Sequence, residues 1–413
     1  MLQTLFNIIL VIVIVDFVFE RLLDYLNTTR WSNKLPFELD GIYDPTEYKK
    51  SQQYLKVNHK FGMLTSSVSF VAMLAMLIFG GFGWMDELVR QWTVNPIWMA
   101  LLFFGILGFA SDLLSTPFSI YDTFVIEEKF GFNKTTPLTF VLDKFKGWLI
   151  GGLIGGGIMA LIIWIYQSTG QWFWLVSWGA ITFFTIFMTL FYSNLIVPLF
   201  NKQTPLEDGE LRSAIQVFSD KVGFKLKNIY VIDGSKRSTK ANAYFTGLGP
   251  KKRIVLYDTL ISDHNVEELV AILAHEIGHY KKKHTLSGTI LGIVQTGIIL
   301  YILSLFIANP LLSQALGADE GSFHMGLLAF GILYSPLSMV LGILMNMLSR
   351  KNEYAADRFA ALNYNGNSLK EALKKLSVKN LSNLRPHPAV VFIHYSHPTL
   401  LQRLRGIETV SDD

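Results

Sequence analysis

Seven stretches of about 20 residues contain no lysine or arginine, and no other property of the chain narrows its fold as much. They lie near residues 2–20, 62–84, 97–116, 147–166, 173–196, 285–308 and 324–348. Each is long enough to cross the roughly 30 Å hydrocarbon layer of a bilayer as a helix. A composition of 51% hydrophobic and 16% charged residues, with mean hydropathy +0.35, is too apolar for a soluble domain of this length. The expectation is an α-helical membrane protein with seven transmembrane helices.

If all seven runs cross, the loops alternate between two sides, and of the 36 Lys and Arg residues only Arg90 falls on one of them. The basic side holds residues 21–61, 117–146, 197–284 and the segment from 349 onward. Cytoplasmic loops carry the excess of positive charge, so the N-terminus is expected outside and the C-terminus in the cytoplasm. The first run has no basic n-region and no convincing small-residue cleavage site, so it reads as a retained helix rather than a signal peptide. A net charge of +4, with the basic residues where topology puts them, points away from nucleic acid.

Within the helices, Gly147, Gly151 and Gly155, with Gly152 and Gly156, recur at four-residue spacing, which predicts close helix packing. Asp16 and Asp112 are acids within or near apolar runs and either line a wet cavity or sit at the interface. The halves of the chain show no convincing repeat, which weakens a transporter reading.

Between the fifth and sixth runs the composition becomes that of a soluble domain. "LRSAIQVFSDKVGF" has helical periodicity, while "KNIYVID" and "RIVLYDTLI" read as strands. Asn265 followed by Glu268 is a capping-box pattern, and it opens a helix through Leu269, Ile272, Leu273, Ile277 and Tyr280. That helix carries His275-Glu276-Ile277-Gly278-His279. One turn apart, His275 and His279 share a face and can bind one Zn²⁺, with Glu276 beside them to take a proton from water. Cysteine is absent, so His, Asp and Glu are the available ligands.

A hydrolytic zinc site needs three protein ligands and one position for water. Glu353 in "RKNEYAADRFA" is the best third ligand, and Asp357 shares its helical face, placed to accept a hydrogen bond from a liganding histidine. The sixth and seventh helices leave and return on the same side, so the two segments can meet. The plain alternative pairs Glu353 and Asp357 with Lys351 or Arg358 on a solvated helix. Other histidines read as structural: His284 lies off the ligand face, His264 precedes the cap, His324 is across the membrane, and His387 and His394 are loop residues. Lys281 to Lys283 read as an interfacial anchor.

Beyond this motif, "YDTFVIEEKFGFNKTT" (121–136), "VPLFNKQTPLEDGEL" (197–211), "ANAYFTG" (241–247), "KRIVLYDTL" (252–260), "NEYAADRFA" (352–360) and "YSHPTLLQRL" (395–404) extend the pattern along most of the chain. Together they resemble the type I CAAX prenyl endopeptidases, integral-membrane zinc proteases of the gluzincin kind. The resemblance implies seven helices enclosing a chamber, with a gluzincin-like α+β zinc peptidase domain at its cytoplasmic end. It places one catalytic Zn²⁺ on His275, His279 and Glu353, the general base on Glu276, the transition-state histidine on His397 and a nearby catalytic arginine on Arg403. By itself His397, before Pro398, would read as a loop histidine. Substrate backbone is expected along an edge strand at Asn242, Ala243, Tyr244 and Phe245.

The implied division is residues 1–200 for five helices and their loops, 201–284 for the first peptidase part, 285–348 for two helices, and 349–413 for the C-terminal peptidase part. The implied activity is removal of the C-terminal tripeptide from prenylated CAAX proteins, with lipidated C-termini and membrane lipids as partners. A broader membrane-protein protease without a prenyl requirement, and a transporter or scaffold with a vestigial metal site, are the competing readings. The implied membrane is the plasma membrane in a bacterium, and the endoplasmic reticulum or inner nuclear membrane in a eukaryote.

Overall fold

The computed structural model describes residues 1–224, 229–246 and 253–411. Among the described residues, six helical stretches are long and apolar enough to cross a membrane: Leu2–Thr28, Pro45–Ile78, Pro96–Glu127, Pro137–Phe200, His284–Phe306 and Phe323–Asn363. The fourth, 64 residues long, contains both runs expected at 147–166 and 173–196. Gly170, at φ 52, interrupts it between them, in a conformation that suits a residue without a Cβ.

Three of the stretches begin with the same device. The side chains of Asp44, Asn95 and Thr136 accept backbone N–H bonds from the first turn, and proline follows each as the first helical residue. Proline has no N–H to leave unpaired there, and its φ is already helical. Only 6–17% of each apolar window is buried against protein, so the helices touch along narrow lines. The rest of their surface faces lipid or the space they enclose.

The glycine repeat does not serve close packing. At Gly147, Gly151, Gly152 and Gly155 an added Cβ would meet nothing within 4 Å, and at Gly156 only Leu101 Cδ2, at 3.5 Å. Residues Gly151–Gly155 instead form a π-helical turn, which widens the backbone where no neighbour presses on it. Asp112 is held by Lys144 Nζ at 2.6 Å and Trp148 Nε1 at 3.1 Å, and Asp16 accepts from Ser335 Oγ at 2.6 Å.

At the end remote from the histidine motif, Gly83 and Gly317 touch so closely that a Gly83 Cβ would fall 2.2 Å from the Gly317 carbonyl oxygen. Beside them His324 Nε2 and Asp86 Oδ1 form a hydrogen-bonded pair at 2.6 Å, each side chain about 1% exposed. His324 is therefore a buried structural partner. His264 is buried as well, with Nδ1 3.0 Å from the Leu260 carbonyl.

The other end carries a four-stranded sheet in the order β1-β2-β4-β3, formed by β1 (Gln203–Pro205), β2 (Ile229–Ile232), β3 (Ala243–Thr246) and β4 (Arg253–Tyr257). The β2–β4 pair is parallel and the other two pairs are antiparallel. The segment "RIVLYDTLI" is strand only to Tyr257, and Asp258–Asp263 is helical. Asp258 Oδ1 ends the strand by accepting the N–H groups of Ser235 and Thr259. Helix Val266–Lys281 packs between the sheet and helices Glu210–Lys221, Phe323–Asn363 and Gly366–Lys379. Their buried side chains, including Ile215, Leu256, Leu273, Ile277 and Leu373, form one core.

Candidate active site

The motif helix starts where the sequence predicts. Asn265 Oδ1 accepts the Glu268 N–H at 2.9 Å, and Glu268 Oε2 accepts the Asn265 N–H at 3.1 Å. With its first turn fixed and nearly every residue from Glu268 to Gly278 buried, this helix is a rigid base for a metal site.

It crosses helix Phe323–Asn363 at Gly278, where an added Cβ would lie 3.1 Å from both Ala356 Cα and Phe359 Cβ. That approach brings Glu353 onto the two histidines. His279 Nε2 lies 3.2 Å from Glu353 Oε1, His275 Nε2 lies 3.5 Å from Glu353 Oε2, and the two Nε2 atoms are 3.1 Å apart. Tetrahedral zinc with bonds of roughly 2.05 Å holds its ligand atoms about 3.3 Å apart, so the spacing fits. Glu353 Oε2 is buried without a hydrogen-bond partner, which a cation between the three side chains would satisfy.

Behind His275 stands a charged clamp. Asp357 Oδ1 lies 2.8 Å from His275 Nδ1, and Arg403 donates to both Asp357 oxygens, from Nη2 at 2.6 Å and Nε at 2.9 Å. Arg403 Nη1 is also 3.6 Å from Glu353 Oε2. Burial and Arg403 push the His275 pKa down, but Asp357 and Glu353 outweigh them and raise it to about 9. Burial likewise disfavours charge on Arg403, but Asp357 more than offsets it and holds the guanidinium above its usual range.

His279 has a counterpart that helical periodicity does not reveal. Lys283 adopts φ 59, and this left-handed turn folds His284 back until its Nδ1 lies 3.0 Å from His279 Nδ1. His284 is off the ligand face, as expected, yet it touches the nitrogen that a ligand leaves free. Only the turn geometry shows this.

The front of the site is a cavity of about 370 Å³ whose lining includes Asn242, Ala243, Tyr244, His275, Glu276, His279, Glu353, His397 and Arg403. Glu276 is half-buried, with no hydrogen-bond or ion-pair partner among the described residues. His397 stands at the rim, 63% exposed at its side chain, with Nε2 3.3 Å from Glu353 Oε1 and Nδ1 against Ser396 Oγ at 2.9 Å. β3 is the end strand of the sheet, and its Ala243 N–H is covered by the Asn242 side chain at 2.8 Å while Asn242 O accepts from Tyr257. Phe245 is part of this strand, but its side chain lies outside the described residues.

This fold and this cluster define a membrane-embedded metallopeptidase. The chain belongs to peptidase family M48, in the CAAX prenyl protease line. Residues 24–202 match the family model described as CAAX prenyl protease N-terminal, five membrane helices, and residues 205–411 match that of peptidase family M48. CAAX prenyl protease 1 of Saccharomyces cerevisiae is 35% identical over 97% of this chain and 94% of its own length. The human CAAX prenyl protease 1 homolog is 31% identical over 91% of this chain and 89% of its own. The crystal structure of S. mikatae Ste24p superposes with a TM-score of 0.92, at 33% identity, covering 98% of this chain and 99% of that one.

Proposed function

We propose that this protein is a one-zinc endopeptidase that removes the C-terminal tripeptide of prenylated CAAX proteins. The observation that carries the reading is the convergence of His275, His279 and Glu353 at ligand spacing beside Glu276, which has no hydrogen-bond or ion-pair partner among the described residues. Curated relatives named CAAX prenyl protease 1 match nearly the whole chain, which supports the substrate class.

In this reading His275, His279 and Glu353 hold the metal. When bound, Zn²⁺ lowers the pKa of a water and polarises the scissile carbonyl. Glu276 takes the proton of the attacking water and later delivers it to the leaving amine. His397, exposed at the rim, donates to the oxygen that becomes negative in the tetrahedral intermediate. Arg403, committed to Asp357 by two hydrogen bonds, acts by fixing His275 through Asp357. The outer edge of β3, from Asn242 to Phe245, pairs with extended substrate and would bring the scissile bond into the cavity beside Glu276 and His397.

Seven crossings, with the basic loops and the peptidase part on the cytoplasmic side, complete the proposal, in line with the one-sided distribution of lysine and arginine. The test is cleavage, by detergent-purified protein, of a farnesylated CAAX peptide and its unprenylated twin, with Glu276→Gln alongside. Cleavage of the farnesylated peptide alone, lost in the variant, is the expected result. Equal cleavage of both peptides would replace the proposal with a broader membrane protease. Full activity in the variant would remove the metallopeptidase mechanism.

A further inference from the structure

The C-terminal helix Leu400–Ser411 has a second working face. Arg403 reaches the metal cluster, whereas Leu401, Gln402 and Arg405 line a separate pocket of about 490 Å³. That volume lies within the roughly 300–1,000 Å³ range of small-ligand sites. Four guanidinium groups line it, those of Arg30, Arg350, Arg385 and Arg405, and no carboxylate does among the described residues.

The charges of Arg30, Arg350 and Arg405 meet no carboxylate among the described residues. Arg350 spends its hydrogen bonds on main-chain carbonyls, from Nη1 to Val391 at 3.0 Å and to Tyr395, and from Nη2 to Phe392 at 3.3 Å. Carbonyls orient a guanidinium but leave its net charge in place. Arg30 and Arg405 are exposed and form no ion pair among the described residues. Arginine's planar fork matches the oxygens of a phosphate, and several around one pocket make a strong anion field.

The position of the pocket identifies the anion's source. Arg30 lies two residues past the end of the first apolar helix, Leu2–Thr28, and Arg350 two residues past the apolar run 324–348. Asn27 Oδ1 accepts the His387 N–H at 3.0 Å and so ties the end of that first helix to the pocket wall. The pocket therefore opens at the depth of lipid headgroups. Its other wall carries Phe392, 50% exposed, an apolar surface that an acyl chain can cover.

We propose that this pocket binds the phosphate of an anionic phospholipid from the leaflet on the peptidase side. A zwitterionic lipid would bring a headgroup cation against the uncompensated guanidiniums of Arg30, Arg350 and Arg405, so the site selects headgroups without one. The proposal depends on membrane embedding and not on which peptide is cleaved.

The test is native mass spectrometry of the full chain, exchanged from detergent into equal amounts of phosphatidylglycerol and phosphatidylcholine. Wild type is compared with Arg30→Gln/Arg405→Gln, and the single Arg405→Gln, at an exposed helical position, serves as a second variant should the double one not fold. The expected result is preferential retention of phosphatidylglycerol by wild type. Affinity should fall about fivefold for each arginine removed. Equal retention of the two lipids by wild type, or unchanged phosphatidylglycerol binding in the variants, would overturn the site. Inorganic phosphate that binds to the wild type but not the variant, without any lipid preference, would overturn the lipid assignment.

Discussion

Gly278 and Ala356 meet at the crossing of the two helices that supply the metal cluster, with the position of a Gly278 Cβ only 3.1 Å from Ala356 Cα. The contact is against backbone, which cannot rotate away as a side-chain end can. A methyl group there makes the Glu353 helix give by a few tenths of an ångström, away from the histidines. Overpacking of this kind costs about 1–3 kcal/mol, and misplacing a catalytic group by about 1 Å costs on the order of 10²-fold in rate. A shift of that smaller size should make Gly278→Ala bind zinc more weakly and lose about 3- to 10-fold in kcat/KM, measured by zinc titration and peptide cleavage. Unchanged zinc affinity and rate would mean that the crossing does not set the ligand geometry.

Glu276 lies in the same cavity as the ligands, half-buried and without a partner among the described residues. Glutamine has its shape but cannot accept a proton from water. Glu276→Gln should keep one zinc per chain, by elemental analysis, while kcat drops about 10²- to 10⁴-fold. Loss of zinc along with activity would instead make Glu276 a ligand.

The parts of this site that are local along the chain are legible in the amino-acid order itself. The capping box at Asn265 and Glu268, the histidine spacing and the shared face of Glu353 and Asp357 follow from helical periodicity. What periodicity cannot show depends on how elements meet. The role of Gly278 is set by Ala356, and that of His284 by the left-handed turn at Lys283. Strand β1 has three residues and borrows its hydrogen bonds from β2, so no pattern announces it. The apolar run after Tyr257 resembles strand because Leu260 and Ile261 continue it, but the Asp258 carboxylate turns the chain into a helix there. Glycine spacing from 147 to 156 suggests a packed face, yet spacing says nothing about whether a neighbour is present.

Asp357 is 2% exposed at its side chain and Arg403 13%, so the pair is a buried one held by two short hydrogen bonds. Removing one partner leaves the other charge buried and unmatched, a loss of about 3–5 kcal/mol. Arg403→Ala should unfold at a markedly lower temperature than wild type. The Asp357→Ala/Arg403→Ala double variant should be less destabilised than the sum of the two single changes, because no orphaned charge remains. Additive melting-temperature shifts would show that the two side chains do not act as a unit.

His284 Nδ1 stands 3.0 Å from His279 Nδ1, while His279 Nε2 faces Glu353 at 3.2 Å. An imidazole that binds metal through Nε2 carries its proton on Nδ1, and an acceptor there holds the ring in place. His284→Ala should weaken zinc binding about 10- to 100-fold, with activity recovered at high zinc. His284→Asn, which keeps an acceptor oxygen, should recover part of the affinity at low zinc. Equal affinities for the two variants would reduce His284 to a packing contact.

Ala243 is the position on β3 where the substrate pairing can be separated from the stability of the sheet. Antiparallel strands alternate the side to which each residue's N–H points. Asn242 O accepts from Tyr257 on β4, whereas the Ala243 N–H is met by the Asn242 side chain on the other side of the strand. Proline removes that outward N–H without taking a bond from the β3–β4 ladder, and edge strands tolerate it. If extended substrate pairs along this edge, Ala243→Pro loses one hydrogen bond to it, worth about 0.5–1.5 kcal/mol. The expected outcome is a KM raised about 2- to 12-fold, with the melting temperature close to wild type. An unchanged KM in a stable variant would place the substrate backbone elsewhere in the cavity, while a large fall in stability would show that the outward N–H serves the fold itself.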